Sequence, residues 1–157
     1  MDYLEGDERF LDAVEPLWRD LNEHHRKRSS YFSDWFAGHT FDARKKTLLK
    51  KAGEGALLVE LARDPGSGAN VGYCITSLDA DKKGEIESIY IIPEYRGRQI
   101  GDHFMQRALS WLDAQGALDI SIAVAHGNEE ALGFYRRYGF YPRIYVLRRS
   151  VGDGVNG

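Results

Sequence analysis

Between an apolar run at residues 86–92 and an amphipathic pattern that begins at Ile100, the chain reads Pro-Glu-Tyr-Arg-Gly-Arg-Gln-Ile-Gly. A plain strand-to-helix connection needs only a cap and a glycine. This one carries Arg96, Arg98, Gly97, Gly101 and Gln99. A helix amino terminus presents unpaired N–H groups at the positive end of its dipole, so such a turn is a ready anion site. Two arginines strengthen it, and the chemistry they suit is the holding of a phosphate-bearing cofactor. A P-loop needs Gly-x4-Gly-Lys-Ser/Thr, but Gly97 and Gly101 are too close and no Lys-Ser/Thr pair follows. The Gly-x-Gly-x-x-Gly dinucleotide fingerprint is absent.

The elements that must position this turn follow from periodicity. Residues 8–28 place Phe10, Val14, Leu17, Trp18 and Leu21 on one helical face. Pro16 either kinks that helix or marks its true start. Residues 41–52 read as a second helix ending at Gly53. Residues 56–62 and 71–78 read as a hairpin, residues 85–93 as the next strand. Ile100, Phe104, Ala108 and Leu112 form the stripe of a helix stopped at Gly116. Residues 118–125 alternate as a strand with two different faces. Residues 126–140 read as a short helix with Asn128 as N-cap and Gly139 at its end. Residues 143–150 close as a strand. Two helices, a meander and then strand–helix–strand–helix–strand make a mixed α/β fold with both sheet faces partly covered. One domain spans residues 1–150, and residues 151–157 are expected to be a disordered tail.

The chain has 157 residues, 43% hydrophobic and 29% charged, which suits one globular domain. A net charge of −3 gives no global pull toward nucleic acid or membranes, so any anion site is local. Cys74 is the single cysteine, which excludes an internal disulfide framework and cysteine-rich zinc sites. His24 and His25 are adjacent without further ligands at helical spacing, and no metal site is expected. The acidic start lacks an apolar signal core and no apolar run is long enough to span a bilayer, so the expected place is the cytoplasm.

The opening turn resembles the acetyl-CoA pyrophosphate loop of the GNAT superfamily of N-acetyltransferases, Arg/Gln-x-x-Gly/Ala-x-Gly/Ala. Arg96 matches its first position and Gly101 its last, while Gln99 stands where the family usually has glycine. A second block, Asn-Glu-Glu-Ala-Leu-Gly-Phe-Tyr-Arg-Arg-Tyr-Gly-Phe, is similar to the family's Asn-x-x-Ala-x-x-Phe-Tyr-x-x-x-Gly-Phe. Asn128, Ala131, Phe134, Tyr135, Gly139 and Phe140 match it. The resemblance covers roughly residues 56–147.

It implies a mixed, mostly antiparallel central sheet flanked by helices, acetyl-CoA as co-substrate, and a homodimer. It implies that backbone groups of Ile89 and Ile91 bond the pantetheine arm, and that the amides of Arg98, Gln99, Ile100, Gly101 and Asp102 surround the pyrophosphate. If Gln99 must be left-handed it costs about 1–2 kcal/mol; otherwise the loop is reshaped and its side chain donates to phosphate. Asn128 matches a cofactor-side position as well as serving as a cap. An alkyl amine with a pKa of about 10.4 is roughly one part in a few thousand free base at pH 7, so transfer needs a proton acceptor. Glu85 and Glu87 share one strand face by period, and the family's base often comes from this strand; Glu87 is favoured, standing nearer the expected thioester. Tyr135 matches the tyrosine that donates to the cofactor sulfur. The region after the first helix walls the acceptor in this family, so Tyr31, Phe32 and Trp35 are candidates for an aromatic wall attractive to an ammonium group. Cys74 reads as a buried small hydrophobe, which favours direct transfer in a ternary complex over an acyl-cysteine. The expected acceptor is a primary amine of a small molecule. A protein or peptide amine, or a non-catalytic acyl-CoA sensor, are the alternatives.

Overall fold

Five strands form one sheet in the order β1-β2-β3-β4-β5 in the computed structural model, which describes residues 1–150. They are β1 (Asp2–Gly6), β2 (Ala56–Arg63), β3 (Asn70–Leu78), β4 (Lys83–Ile91) and β5 (Asp119–Ile122). The first four pair antiparallel and β5 pairs parallel to β4, so the sheet is mixed and mostly antiparallel. Helices α1 (Leu11–Arg28) and α3 (Phe41–Glu54) cover one face, where Leu11, Val14, Leu17, Trp18 and Leu48 pack on Val59, Tyr73 and Ile75. Helix α4 (Ile100–Ala114) and the short α5 (Ala131–Arg136) cover the other, where Ile100, Phe104, Met105 and Ala108 pack on Cys74 and Ile86.

Several expectations need correction. Pro16 lies inside α1, which begins at Leu11 after a 3-10 turn at Glu8–Phe10; the missing N–H removes one bond on a helix held by its buried face. Helix α3 runs through Gly53 to Glu54, capped at its start by Thr40, whose hydroxyl oxygen accepts from the Ala43 N–H at 3.2 Å. Strand β1 was not foreseen: its acidic five residues hide a period of two, and its pairing with β2 supplies the order. A short helix, α2 (Ser33–Gly38), occupies the aromatic stretch after α1. The helix expected over 126–140 is cut to α5, with Glu130 at its start; Asn128 sits in a preceding turn, its N–H donating to Ala125 O at 3.0 Å, and is no cap. Residues 143–150 form no strand. The tail expected at 151–157 lies outside the described residues. Among the described residues no helix is long and apolar enough to cross a membrane.

Candidate active site

The turn after β4 is built on left-handed backbone. Gly97 has φ +74° and Gln99, which directly precedes α4, has φ +64°. The first is free for glycine; the second is the strained case, worth about 1–2 kcal/mol for a side chain. Among the described residues no amide from 97 to 102 has an acceptor within the chain. These six donors converge at the positive end of α4, as an anion cradle requires. Arg96 donates to the Ile91 carbonyl at 2.9 Å and Arg98 to the Glu94 carbonyl at 3.2 Å, with the Arg98 guanidinium 4.6 Å from the Tyr95 ring centre. Both arginines thus pin the turn while remaining exposed. Gly101 permits close packing: a Cβ there would stand 3.1 Å from the Phe134 ring. Asp102 accepts from Arg137 at 2.6 Å and from the Tyr138 hydroxyl, tying the first turn of α4 to the end of α5. A cavity of about 560 Å³ lies beside it, lined by Arg98, Gln99, Asp102, His103 and Arg137 among others.

Strands β4 and β5 pair only from Lys83 and Asp119 to Ile86 and Ile122. Beyond that point they part, and a cavity of about 70 Å³ opens between them. It is lined by Glu87, Ser88, Ile89, Asn128 and Tyr135, and by Leu21 and His25 from α1. The structure therefore gathers Glu87, Ile89, Asn128 and Tyr135 at one place. Ile91 lies further along β4 toward the turn. Tyr31 and Trp35 are 55 and 57% exposed and, with Phe32, stand outside this lining; Trp35 stacks on His39.

A β-bulge shapes β4 here. Ile86 pairs with Thr76 and Ser88 with Ile75, so Glu87 is the extra residue. Glu85 and Glu87 do share a face, since Lys51 bonds both. Ser88 then shares that face too, its hydroxyl 2.7 Å from the Tyr73 hydroxyl, while Ile89 and Ile91 pack on the α4 side. A strict period of two would have placed all four odd-numbered residues together.

The Glu87 side chain is 2% exposed. One oxygen accepts from Ser77 at 2.7 Å and from Lys51; the other accepts from Arg44 at 3.0 Å. Burial pushes its pKa up, but the bonds from Lys51 and Ser77 and the charges of Arg44 and Lys51 outweigh it, and the net shift is down. Glu85 lies nearer the surface, 3.0 Å from the same lysine. Tyr135 is buried, which pushes its pKa up, and among the described residues its hydroxyl has no hydrogen-bond partner. His25 is held near pKa 4, by burial first and then by His24, so it is neutral, and its buried Nδ1 has no partner. Cys74 is fully buried, with its pKa raised by burial. Lys51, Arg44 and Ser77 escaped the sequence reading. The first two stand 36 and 43 residues before Glu87 with no spacing to link them. Among the described residues no acid, histidine and cysteine cluster could hold a metal ion.

Residues 11–140 match the acetyltransferase (GNAT) family model. An uncharacterised N-acetyltransferase of Methanocaldococcus jannaschii is 24% identical over 143 residues, 87% of this chain and 57% of that one. The chain thus spans little more than half the length of that relative. A putative ribosomal protein bS18-alanine N-acetyltransferase of Bacillus subtilis is 30% identical over 114 residues, covering 73% of this chain and 69% of that one. The aminoglycoside N-acetyltransferase AAC(6')-Iy, solved with a bisubstrate analogue of CoA, superposes with a TM-score of 0.67 at 16% identity, over 95% of this chain and 99% of that one. The last likeness shows the fold alone. With its match extending over most of its length, the chain belongs to the acetyltransferase (GNAT) family.

Proposed function

We propose that this member of the GNAT family is an acetyl-CoA-dependent N-acetyltransferase that acts on a primary amine by direct attack in a ternary complex. One observation carries the reading: six acceptor-free amides at the turn into α4 adjoin a strand edge that loses its neighbour at Ile86. A long ligand with a phosphate group at one end and amide groups along its arm fits both. The amides of Arg98, Gln99, Ile100, Gly101 and Asp102 hold the pyrophosphate. Backbone groups of Ile89 and Ile91 bond the pantetheine arm, with Asn128 across from them.

The amine nitrogen attacks the thioester carbonyl, the C–N bond forms, and the C–S bond breaks. The departing sulfur takes the proton of the Tyr135 hydroxyl, which lines the cavity and among the described residues has no hydrogen-bond partner. The amine's proton leaves through water to Glu87, the one carboxylate that lines the cavity among the described residues. Its lowered pKa keeps it ionised, and Lys51 and Arg44 must loosen as the proton arrives. Glu85 stands one strand period away as a second acceptor. Tyr31, Phe32 and Trp35 stand ready as an outer surface for the acceptor. A small-molecule amine fits the small cavity. The second reading, a protein amino terminus, is favoured by the likeness to the Bacillus subtilis relative over most of this chain.

Two measurements test this. CoA and acetyl-CoA should raise the melting temperature while NAD does not, since a ligand at 100 Kd adds about 2.7 kcal/mol. Thiol release from acetyl-CoA across polyamines, amino sugars and amino-terminal peptides then identifies the acceptor class. A shift with NAD and none with CoA overturns the reading.

A further inference from the structure

His25 stands in the last turn of α1 and lines the cavity between β4 and β5. Contacts from two elements fix it there. One turn earlier, the Asn22 side-chain amide donates to the Phe36 carbonyl at 2.8 Å. That bond docks α2 on α1 and brings the Phe36 ring centre to 5.5 Å from the imidazole. One turn later, Arg28 donates to Glu130 at 2.6 Å, and a Cβ on Gly127 would stand 2.4 Å from the Arg28 carbonyl oxygen. Glycine there lets the loop that carries Asn128 close on the end of α1. Among the described residues neither nitrogen of this well-held ring has a hydrogen-bond partner; Nδ1 is buried and Nε2 is left open. The other polar side chains of the lining are engaged or already assigned. Three donors meet the Glu87 carboxylate, and the Ser88 hydroxyl shares a hydrogen with Tyr73. Tyr135 serves the sulfur, and Asn128 the cofactor arm. His25 is the one polar side chain that α1 brings to the lining among the described residues. Outward from it the rings continue, from Phe36 to Trp35 at 5.0 Å, and Trp35 is open to solvent.

We propose that His25 is a further catalytic residue of the acetyl transfer: with its proton on Nδ1, it accepts one N–H of the attacking amine at Nε2 and so turns the amine's lone pair toward the thioester carbonyl. This rests on the acetyl-transfer reading. No proton is transferred at His25. The amine still loses its proton through water to Glu87, and the C–N and C–S bonds form and break as before. The role requires a neutral ring, because an imidazolium has no lone pair to offer. Burial first, and His24 second, hold His25 near pKa 4, which keeps it neutral at physiological pH. The rings of Trp35 and Phe36 suit an arriving ammonium group, and the bare imidazole suits the free base that it becomes. A preference among amines follows. A primary amine has two N–H groups, one for His25 to hold and one to lose toward Glu87. A secondary amine has a single N–H and cannot serve both.

Steady-state thiol release tests it, with the primary amine that the wild type turns over fastest among polyamines, amino sugars and amino-terminal peptides, and with the N-methyl form of that amine. His25→Phe keeps a ring against Phe36 and removes both nitrogens. It should lower kcat/KM for the primary amine by about 10- to 100-fold, the worth of one hydrogen bond in a dry site. It should leave the N-methyl amine within about threefold and the KM for acetyl-CoA unchanged. His25→Gln, whose amide oxygen reaches near the place of Nε2, should recover most of the loss. His25→Leu repeats the comparison if the phenylalanine variant does not fold. Unchanged turnover of the primary amine in His25→Phe overturns the role of His25 alone. An equal loss with both amines, or a loss that glutamine does not reduce, makes His25 a packing residue and overturns it too. A wild type that binds CoA but acetylates no amine, or binds no CoA, overturns the acetyl-transfer reading and this role with it.

Discussion

Glu87 and Glu60 are two buried glutamates, one on each helix-covered face of the sheet, and their surroundings are opposite. Glu87 has a partner for each oxygen. Glu60 is 1% exposed and neither of its oxygens has a partner. It lies opposite Cys74 in the β2–β3 ladder, with Tyr3, Glu5 and Arg107 facing it from β1 and α4. Arg107 is already bonded to Glu5 at 2.7 Å. Burial first, and the Glu5 charge second, raise the Glu60 pKa to about 8. Burial by itself does not set the charge of a carboxyl; the hydrogen bonds available after burial do.

The largest expected effect lies at Glu60. A carboxyl whose folded pKa exceeds its unfolded one keeps its proton in the native state, so unfolding releases protons and stability falls as pH rises between the two values. Its contribution is intact below about pH 4.5 and gone above about pH 8. The full span is on the order of 5 kcal/mol. Urea melts at pH 5 and pH 9 should differ accordingly, and Glu60→Gln should flatten the slope. A parent with no fall across that window would make the two glutamates alike. Glu87 has the reverse sign: its folded pKa is lowered, so its share of stability is present above pH 4.5 and lost as pH falls further.

Breaking the clamp comes next. Arg44→Ala with Lys51→Ala leaves a buried anion held by Ser77 alone. The cost should be roughly 3 kcal/mol, toward the lower end for buried pairs because Lys51 is 37% exposed. Denaturant midpoints measure it, and adding Glu87→Gln to the pair should return part of the loss. Tyr135 sharpens the contrast, for its hydroxyl is unpartnered like Glu60 yet lines the cavity. Tyr135→Phe should lower turnover about 10²-fold with CoA affinity little changed, whereas equal turnover would make it a core ring. The smallest effect is the same principle in the backbone. Gln99→Gly removes left-handed strain of about 1–2 kcal/mol but adds unfolded-state entropy of roughly 0.5–1, so a net gain between zero and about 1.5 kcal/mol is expected, with CoA affinity within about tenfold by titration.

What the sequence revealed and what it hid divide along range. The stripe of α4 and the turn before it were legible because their signals lie within one helical repeat, and so were the hairpin strands with their run of β-formers. Strand β1 was not, because Asp2–Gly6 pairs with residues near 60 and shows no local pattern. The end of the chain misled for the converse reason. Residues 143–150 have strand-forming side chains, but among the described residues they pair with no strand. At the candidate site, Glu87 and Tyr135 were visible as residue types. The clamp on one and the bare hydroxyl of the other depend on α1 and α3, whose approach no spacing records.

The bulge in β4 has a consequence for how this strand can change length. Removing one residue from most of a strand turns every side chain beyond the cut to the opposite face. Dropping Glu87 does otherwise: Ile86 and Ser88 already oppose consecutive residues of β3, so the ladder would close over the gap with Ile89 and Ile91 still on the α4 side. The strand could be spliced there without being re-threaded. The residue on which the proposed chemistry leans is thus one that the register of the sheet could lose.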